Sequence, residues 1–252
     1  MAAEDPGVKC ATWCWEGAPG AITALMPELD WGADRVLLSE INSHAQGHSR
    51  KQSIELICLL LDRKYHCGQL RMSRWLDLVE AAIYATLQHS ATKPCEHYIG
   101  QLTLAHRPQP TSQNQTIVVD ARPYPIGGIE SLARELVALH RTGWRKFAVL
   151  HCHGHRFIGN GFGPDTDDVY MDVFGSVGDY LGSGSDGMTI IMHGNGQDQI
   201  AQIHKRGTLV IHGDVGQCYG YGAKGGELFV LGNAAGRPMI NSVGSPKLVV
   251  NG

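Results

Sequence analysis

The stretch His151-Cys152-His153-Gly154-His155 is the most metal-like run in the chain. Side chains alternate between the two faces of an extended strand, so His151, His153 and His155 are expected on one face, at a spacing a zinc chelate could use. The competing reading is a strand that faces a polar environment or a partner. A second candidate is the pair His193 and His212, each placed immediately before a glycine. If their segments stack as neighbouring strands, the imidazoles lie about 4.8 Å apart. They could then share a metal, form a pH-sensitive pair, or simply stack like on like with no ligand.

Other runs carry weaker chemistry. Gly182-Ser183-Gly184-Ser185-Asp186-Gly187 spells a G-x-G-x-x-G, but a dinucleotide finger must open a helix, and here the apolar strand pattern MTIIMHG follows at once. His44 and His48 are one helical turn apart, yet the motif lacks the glutamate of a zincin and has a glycine between the ligands. Asp165, Asp167 and Asp168 fit a solvated turn; calcium would require a later bidentate glutamate that is missing. No G-x-S-x-G elbow occurs. Cys10 and Cys14 have no second pair at metal spacing, and the odd number of scattered cysteines reads as reduced thiols, with Cys58 and Cys152 as small hydrophobes. From the residues alone, no catalytic, cofactor-binding or metal-ligating residue is assigned.

The elements that would position these groups fall into two regions. In residues 1–110 glycine is sparse and helical periodicity shows: Trp75, Val79, Ala82/Ile83 and Leu87 make one stripe of a helix over 73–88, and 53–64 is a shorter, uniformly apolar helix. Residues 107–115 have the make-up of a linker or exposed loop. Beyond them a β-α-β entry is expected: strand TIVVDA, turn PYPIGG, helix IESLARELVALHRTG closed by Gly143, and strand KFAVLHCHG.

From residue 169 a repeat takes over. VYMDVFG, MTIIMHG, GTLVIHG, GELFVLG and PKLVVNG end on Gly175, Gly194, Gly213, Gly232 and Gly252, a period of about 19 residues. Counting back from each glycine, the second and fourth positions are Val173/Met171, Met192/Ile190, Ile211/Leu209, Val230/Leu228 and Val250/Leu248, all apolar. One short amphipathic strand per fixed period predicts a parallel solenoid. On the same template KFAVLHCHG places Leu150 and Cys152 inward. Glycines such as Gly159, Gly161, Gly182, Gly184, Gly220 and Gly222 are then corner residues, needed where φ is positive or where a Cβ would clash. The coil with Ala201-Gln202-Ile203 in place of Gly-x-Gly reads as a local irregularity, one residue too long.

With Gly159-Asn160-Gly161-Phe162-Gly163, Gly178-Asp179-Tyr180-Leu181-Gly182-Ser183-Gly184, Gly213-Asp214-Val215-Gly216 and Gly232-Asn233-Ala234-Ala235-Gly236-Arg237 in phase, residues 116–252 resemble the GXGXG domain of the glutamate synthase large subunit and its stand-alone relatives. One of the subunits of formylmethanofuran dehydrogenase is of the same domain type. The resemblance implies a right-handed parallel β-helix behind a β-α-β lead-in, an α+β chain with the helical residues 1–110 unmatched. It also implies a non-catalytic scaffold in a glutamate-synthase-like complex, with FMN and an iron–sulfur cluster in partner subunits of the amidotransferase and flavin/iron–sulfur synthase types. The alternatives are a formylmethanofuran-dehydrogenase-like complex, or a metal-binding enzyme subunit using the outward histidine face. The chain begins Met-Ala, not with a nucleophilic cysteine, so neither catalytic half of glutamate synthase is expected in it.

Whole-chain properties narrow the class. A net charge of −3 gives no electrostatic case for nucleic acid or an anionic membrane. IELICLLL is too short to span a bilayer, and MAAEDPGVKC lacks a signal-peptide pattern, so a cytoplasmic location is expected. The last strand carries no polar capping layer, which leads to an expectation of association with itself or with a larger partner.

Overall fold

The computed structural model describes residues 107–252 continuously. Upstream it describes Ser39, Ser43, Arg71, Arg74, Trp75, Asp77, Leu78, Ala81, Ala82, Tyr98 and Ile99. Two compact units divide the chain, Met1–Pro94 and Cys95–Gly252. In the first, Arg74, Trp75, Asp77, Leu78, Ala81 and Ala82 are helical, with Trp75, Leu78 and Ala82 buried and Arg74 and Asp77 exposed; of the expected stripe, Trp75 and Ala82 are among the described residues, and Leu76, Val79, Ile83 and Leu87 lie outside them. The expected helix over 53–64, the pair His44 and His48, and Cys10, Cys14, Cys58, Cys67 and Cys95 lie outside the described residues. Among the described residues no helix is long and apolar enough to cross a membrane.

The second unit is a right-handed parallel β-solenoid of about 5 turns. Its strands are β1 (Tyr98–Ile99), β2 (Thr116–Asp120), β3 (Lys146–His155), β4 (Tyr170–Val177), β5 (Asp186–His193), β6 (Arg206–Ile211), β7 (Glu227–Val230) and β8 (Lys247–Val250), with helix α1 (Leu132–Arg141) between β2 and β3. Each strand pairs in parallel with the next, in sequence order.

Register explains the burial. Phe147, Met171, Ile190, Leu209 and Leu228 form one inward column, and Val149, Val173, Met192, Ile211 and Val230 form the next; all are buried in one core. Leu248 and Val250 continue both columns in the final coil and are partly buried. Ile158, Leu181, Ile200 and Tyr219 close the interior from the opposite corner. The coils are therefore filled by side chains, with apolar burial as the main stabilising term.

Two corners use glycine for different physical reasons. At the end of each strand the backbone runs against the previous coil: a Cβ on Gly194 would sit 1.8 Å from the Gly175 carbonyl oxygen, and one on Gly232 would sit 2.4 Å from that of Gly213. At the far corner the requirement is conformational. Every second residue is left-handed: Tyr180, Gly182 and Gly184; Gln199, Ala201 and Ile203; Cys218, Gly220 and Gly222. The coil at 199–203 is consequently no irregularity. It keeps the 19-residue spacing and the same conformation, with Ala201 at φ 58° and Ile203 at φ 55°. The ladder between coils holds it there: Ala201 N–H donates to Leu181 O and Ile203 N–H to Tyr221 O, each at 2.8 Å.

The helix begins later than its sequence pattern suggests. Ser131, not Ile129, is the N-cap, and Ile129 stands 79% exposed. Leu132, Leu136 and Leu139 form the buried stripe, and left-handed Gly143 follows the C-cap. Residues 107–115 are a pinned loop and not a free linker. Trp144 Nε1 donates to Pro108 O at 2.7 Å, Thr111 N–H to Gln115 Oε1 at 2.7 Å, and Arg107 makes a bidentate pair with Glu135.

Candidate functional site

The histidine run does not keep its alternation. Strand β3 pairs Val149 with Val173 and then Cys152 with Gly175, so one residue is inserted between them, and His151 takes the left-handed turn at φ 58°. This β-bulge shifts the frame. Val149 and Cys152 point inward, whereas Leu150 pairs with Asp120 and lies outside the core cluster, contrary to the expectation that Leu150 shares the Cys152 face. The three imidazoles also part company. His153 is exposed, while His155 is buried opposite Val177. His155 Nδ1 accepts the His153 N–H at 3.0 Å and its Nε2 lies 3.2 Å from Tyr124 O, so both ring nitrogens are occupied by backbone. Burial lowers the His155 pKa, and the hydrogen bond to Tyr124 O offsets part of that.

The second pair does stack. His193 and His212 have ring centroids 5.2 Å apart at 19°, and Phe174 stacks on the other side of His193 at 4.5 Å. His193 Nε2 lies 2.8 Å from Asp172 Oδ1 on the neighbouring strand, and Tyr170 Oη approaches the same oxygen at 3.4 Å. The column is thus an aromatic ladder with one ring anchored by a carboxylate. Among the described residues no group of three or more His, Cys, Asp or Glu side chains is placed to hold a metal ion.

The acidic turn is occupied by arginines. Arg206 pairs with Asp167 at 2.9 Å and with Asp186 at 2.8 Å, and Arg145 pairs with Asp168 at 3.0 Å. Arg206 and Lys205 hold the Asp186 carboxyl below its ordinary pKa, chiefly through the Arg206 hydrogen bond. The G-x-G-x-x-G stretch is a coil corner running directly into β5, so it does not open a helix.

A concave surface that the motifs did not indicate lies beside α1. A cavity of about 950 Å³ is bounded by the outer face of the helix, the loop 123–131 and the first coil corner. Its floor is Ala133, Val137 and Ala138; Tyr124, Ile129 and Phe157 form walls. Phe157 is held at φ 62° by face-to-face stacking on Tyr180, with the Arg156 guanidinium over both rings and paired to Asp179. The Tyr124 side chain is buried, which pushes the phenol's pKa up to about 12 and keeps it protonated. Glu135 is consumed by Arg107 at 2.6 Å. Sequence reasoning missed this surface because its walls come from segments some thirty residues apart; the available signal was Ile126 and Ile129 beside glycines, outside any helical stripe.

Comparison of the chain with protein-family models, with curated proteins and with solved structures finds no match in any of the three.

Proposed function

We propose that residues 116–252, with the β-α-β segment as lead-in, act as a non-catalytic scaffold within a glutamate-synthase-like oxidoreductase assembly in the cytoplasm. In this reading the coils hold an amidotransferase and a flavin/iron–sulfur synthase in fixed relation, and FMN and the cluster belong to those partners. One observation carries it: the interior of the coils is filled by aliphatic columns, and the strand-end glycines Gly175, Gly194 and Gly232 lie against the backbone of the previous coil. Those strand-end corners leave no room for a phosphate, and the histidine column is engaged in stacking and a carboxylate bond. A solenoid so built offers surface and length, which is what a spacer contributes.

The test is co-expression of the full chain with a class II amidotransferase and an FMN-binding synthase from the same source. The expected result is a single co-eluting complex containing FMN and iron, from which the cofactors are absent when this chain is purified alone. Assembly of the two enzymes without any incorporation of this chain would contradict the proposal, as would turnover by the isolated chain. Co-elution with a molybdopterin enzyme instead would favour the formylmethanofuran-dehydrogenase-like alternative.

A further inference from the structure

We infer that the groove beside α1 is a docking surface for an acidic amphipathic helix of a partner protein. Helix α1 presents two faces. Leu132, Leu136 and Leu139 are buried against the solenoid, while Arg134, Val137, Ala138 and Arg141 look into the groove. Ala133 and Ala138 are small, and small residues let a second helix approach to the usual 8–10 Å or so between axes. The wall above them presents Ile129, 79% exposed, and Ile126 in the same loop, outside the groove lining, is 57% exposed.

Charge selects the occupant. Three arginines and two glutamates line the groove; the buried Glu135 is neutralised by its bidentate contact with Arg107, and Arg134 and Arg141 outnumber the exposed Glu130, so the remaining charge is positive. Arg134 and Arg141 are exposed and, among the described residues, have no carboxylate partner. They stand two turns apart on one helix face, separated by about 10 Å along the axis. A partner helix laid along α1 with carboxylates seven residues apart would meet both guanidiniums while its apolar stripe covers Ile129, Val137 and Phe157, the helix-in-groove mode of recognition. The wall is preformed, since Phe157 is fixed by Tyr180 and Arg156, and a preformed wall lowers the ordering cost of binding.

The inference deepens the scaffold proposal by naming one of its contact surfaces. Its test uses the isolated full chain, so failure of the groove and failure of the enzyme assembly are separate results. The probes are two fluorescent helical peptides of about four turns, each with a leucine stripe at i, i+3 and i+7. One carries glutamates seven residues apart, and the other carries lysines at the same positions. Anisotropy titration should show the acidic peptide bound with a Kd near 100 µM or tighter, and the lysine peptide bound at least ~10-fold more weakly. Arg134→Glu combined with Arg141→Glu should reverse that preference, since both positions are solvent-exposed and the swap restores pairing with the lysine peptide. Ile129→Asp should weaken both peptides while leaving the circular dichroism spectrum unchanged. No binding of the acidic peptide at about 1 mM, a value too weak for a specific contact, would overturn the inference. Equal affinities for the two peptides, or indifference to the double charge reversal, would overturn it as well.

Discussion

At the residue scale, two buried histidines set the acid limit of the fold. His204 is 1% exposed, its Nδ1 has no hydrogen-bond partner within 3.5 Å among the described residues, and its Nε2 lies 3.3 Å from Gly207 O. Burial lowers its pKa, and burial likewise lowers that of His155. Protonating His155 would also set an Nδ1–H against the His153 N–H that Nδ1 now accepts. A folded-state pKa below the unfolded value of about 6.5 means the unfolded chain binds protons first as the pH falls. Stability is thus fully present above about pH 6.5 and declines below it, by up to ~1.4 kcal/mol per pH unit for each histidine until its folded pKa is reached. Denaturant unfolding of wild type and His204→Gln between pH 7 and 5 should show the slope reduced by about one proton in the variant; an unchanged slope would remove His204 from the account. A second residue-scale prediction concerns backbone strain. Ile203 is β-branched at φ 55° and 43% exposed. Ile203→Asn should raise stability by about 0.5–1 kcal/mol, because asparagine tolerates the left-handed region and little packing is lost. A lower melting temperature would contradict it.

At the element scale, the strands were legible where nothing interrupts them. Each glycine fixes the frame, and β4 to β7 bury the second and fourth positions before it, as alternation requires. The same reading failed in β3, because the frame was set from Gly154, on the far side of the bulge at His151. No residue type announced that bulge, and with it the apparent three-histidine face dissolved. The left-handed corner was half legible: Gly182, Gly184, Gly220 and Gly222 marked it, but Ala201 and Ile203 hid it, since there the ladder between coils imposes the conformation that glycine adopts freely. The groove was not legible at all as a site, since its shape arises only when loop, helix and corner meet. For the strand-end glycines the prediction is steric. Gly194→Ala should cost about 2–4 kcal/mol, because the Cβ collides with backbone and not with a movable side chain. Gly127→Ala, with nothing within 4 Å of the new Cβ, should be neutral or stabilising by up to ~1 kcal/mol. Equal effects of the two substitutions in chemical denaturation would show that close approach is not what selects glycine there.

At the scale of the whole molecule, the solenoid is a stack of equivalent layers. The backbone ladders at three places around each coil repeat at the same spacing: the long strands, the bridges Val177–Gly196–Val215–Ala234, and the left-handed corner. Exposed side chains follow the same rule, with Asn195, Asp214 and Asn233 capping one another's backbone from coil to coil across 19 residues. In such an array stability is close to a sum of layers and their nearest-neighbour interfaces. The scaffold reading needs this property, because it makes the chain a spacer whose length is counted in coils.

The most direct test of that claim is removal of one layer. Deleting residues 195–213 takes out one 19-residue period and rejoins equivalent positions. Deleting 195–204 instead brings Lys205 directly after Gly194, so β5 and β6 are left without the connection that two parallel neighbouring strands require. The account predicts that the first variant unfolds cooperatively at a modestly lower denaturant midpoint with its β-sheet circular dichroism retained, and that the second loses cooperative unfolding. Two variants that unfold alike, or a 19-residue deletion that abolishes the transition, would contradict the layered architecture on which the proposed function depends.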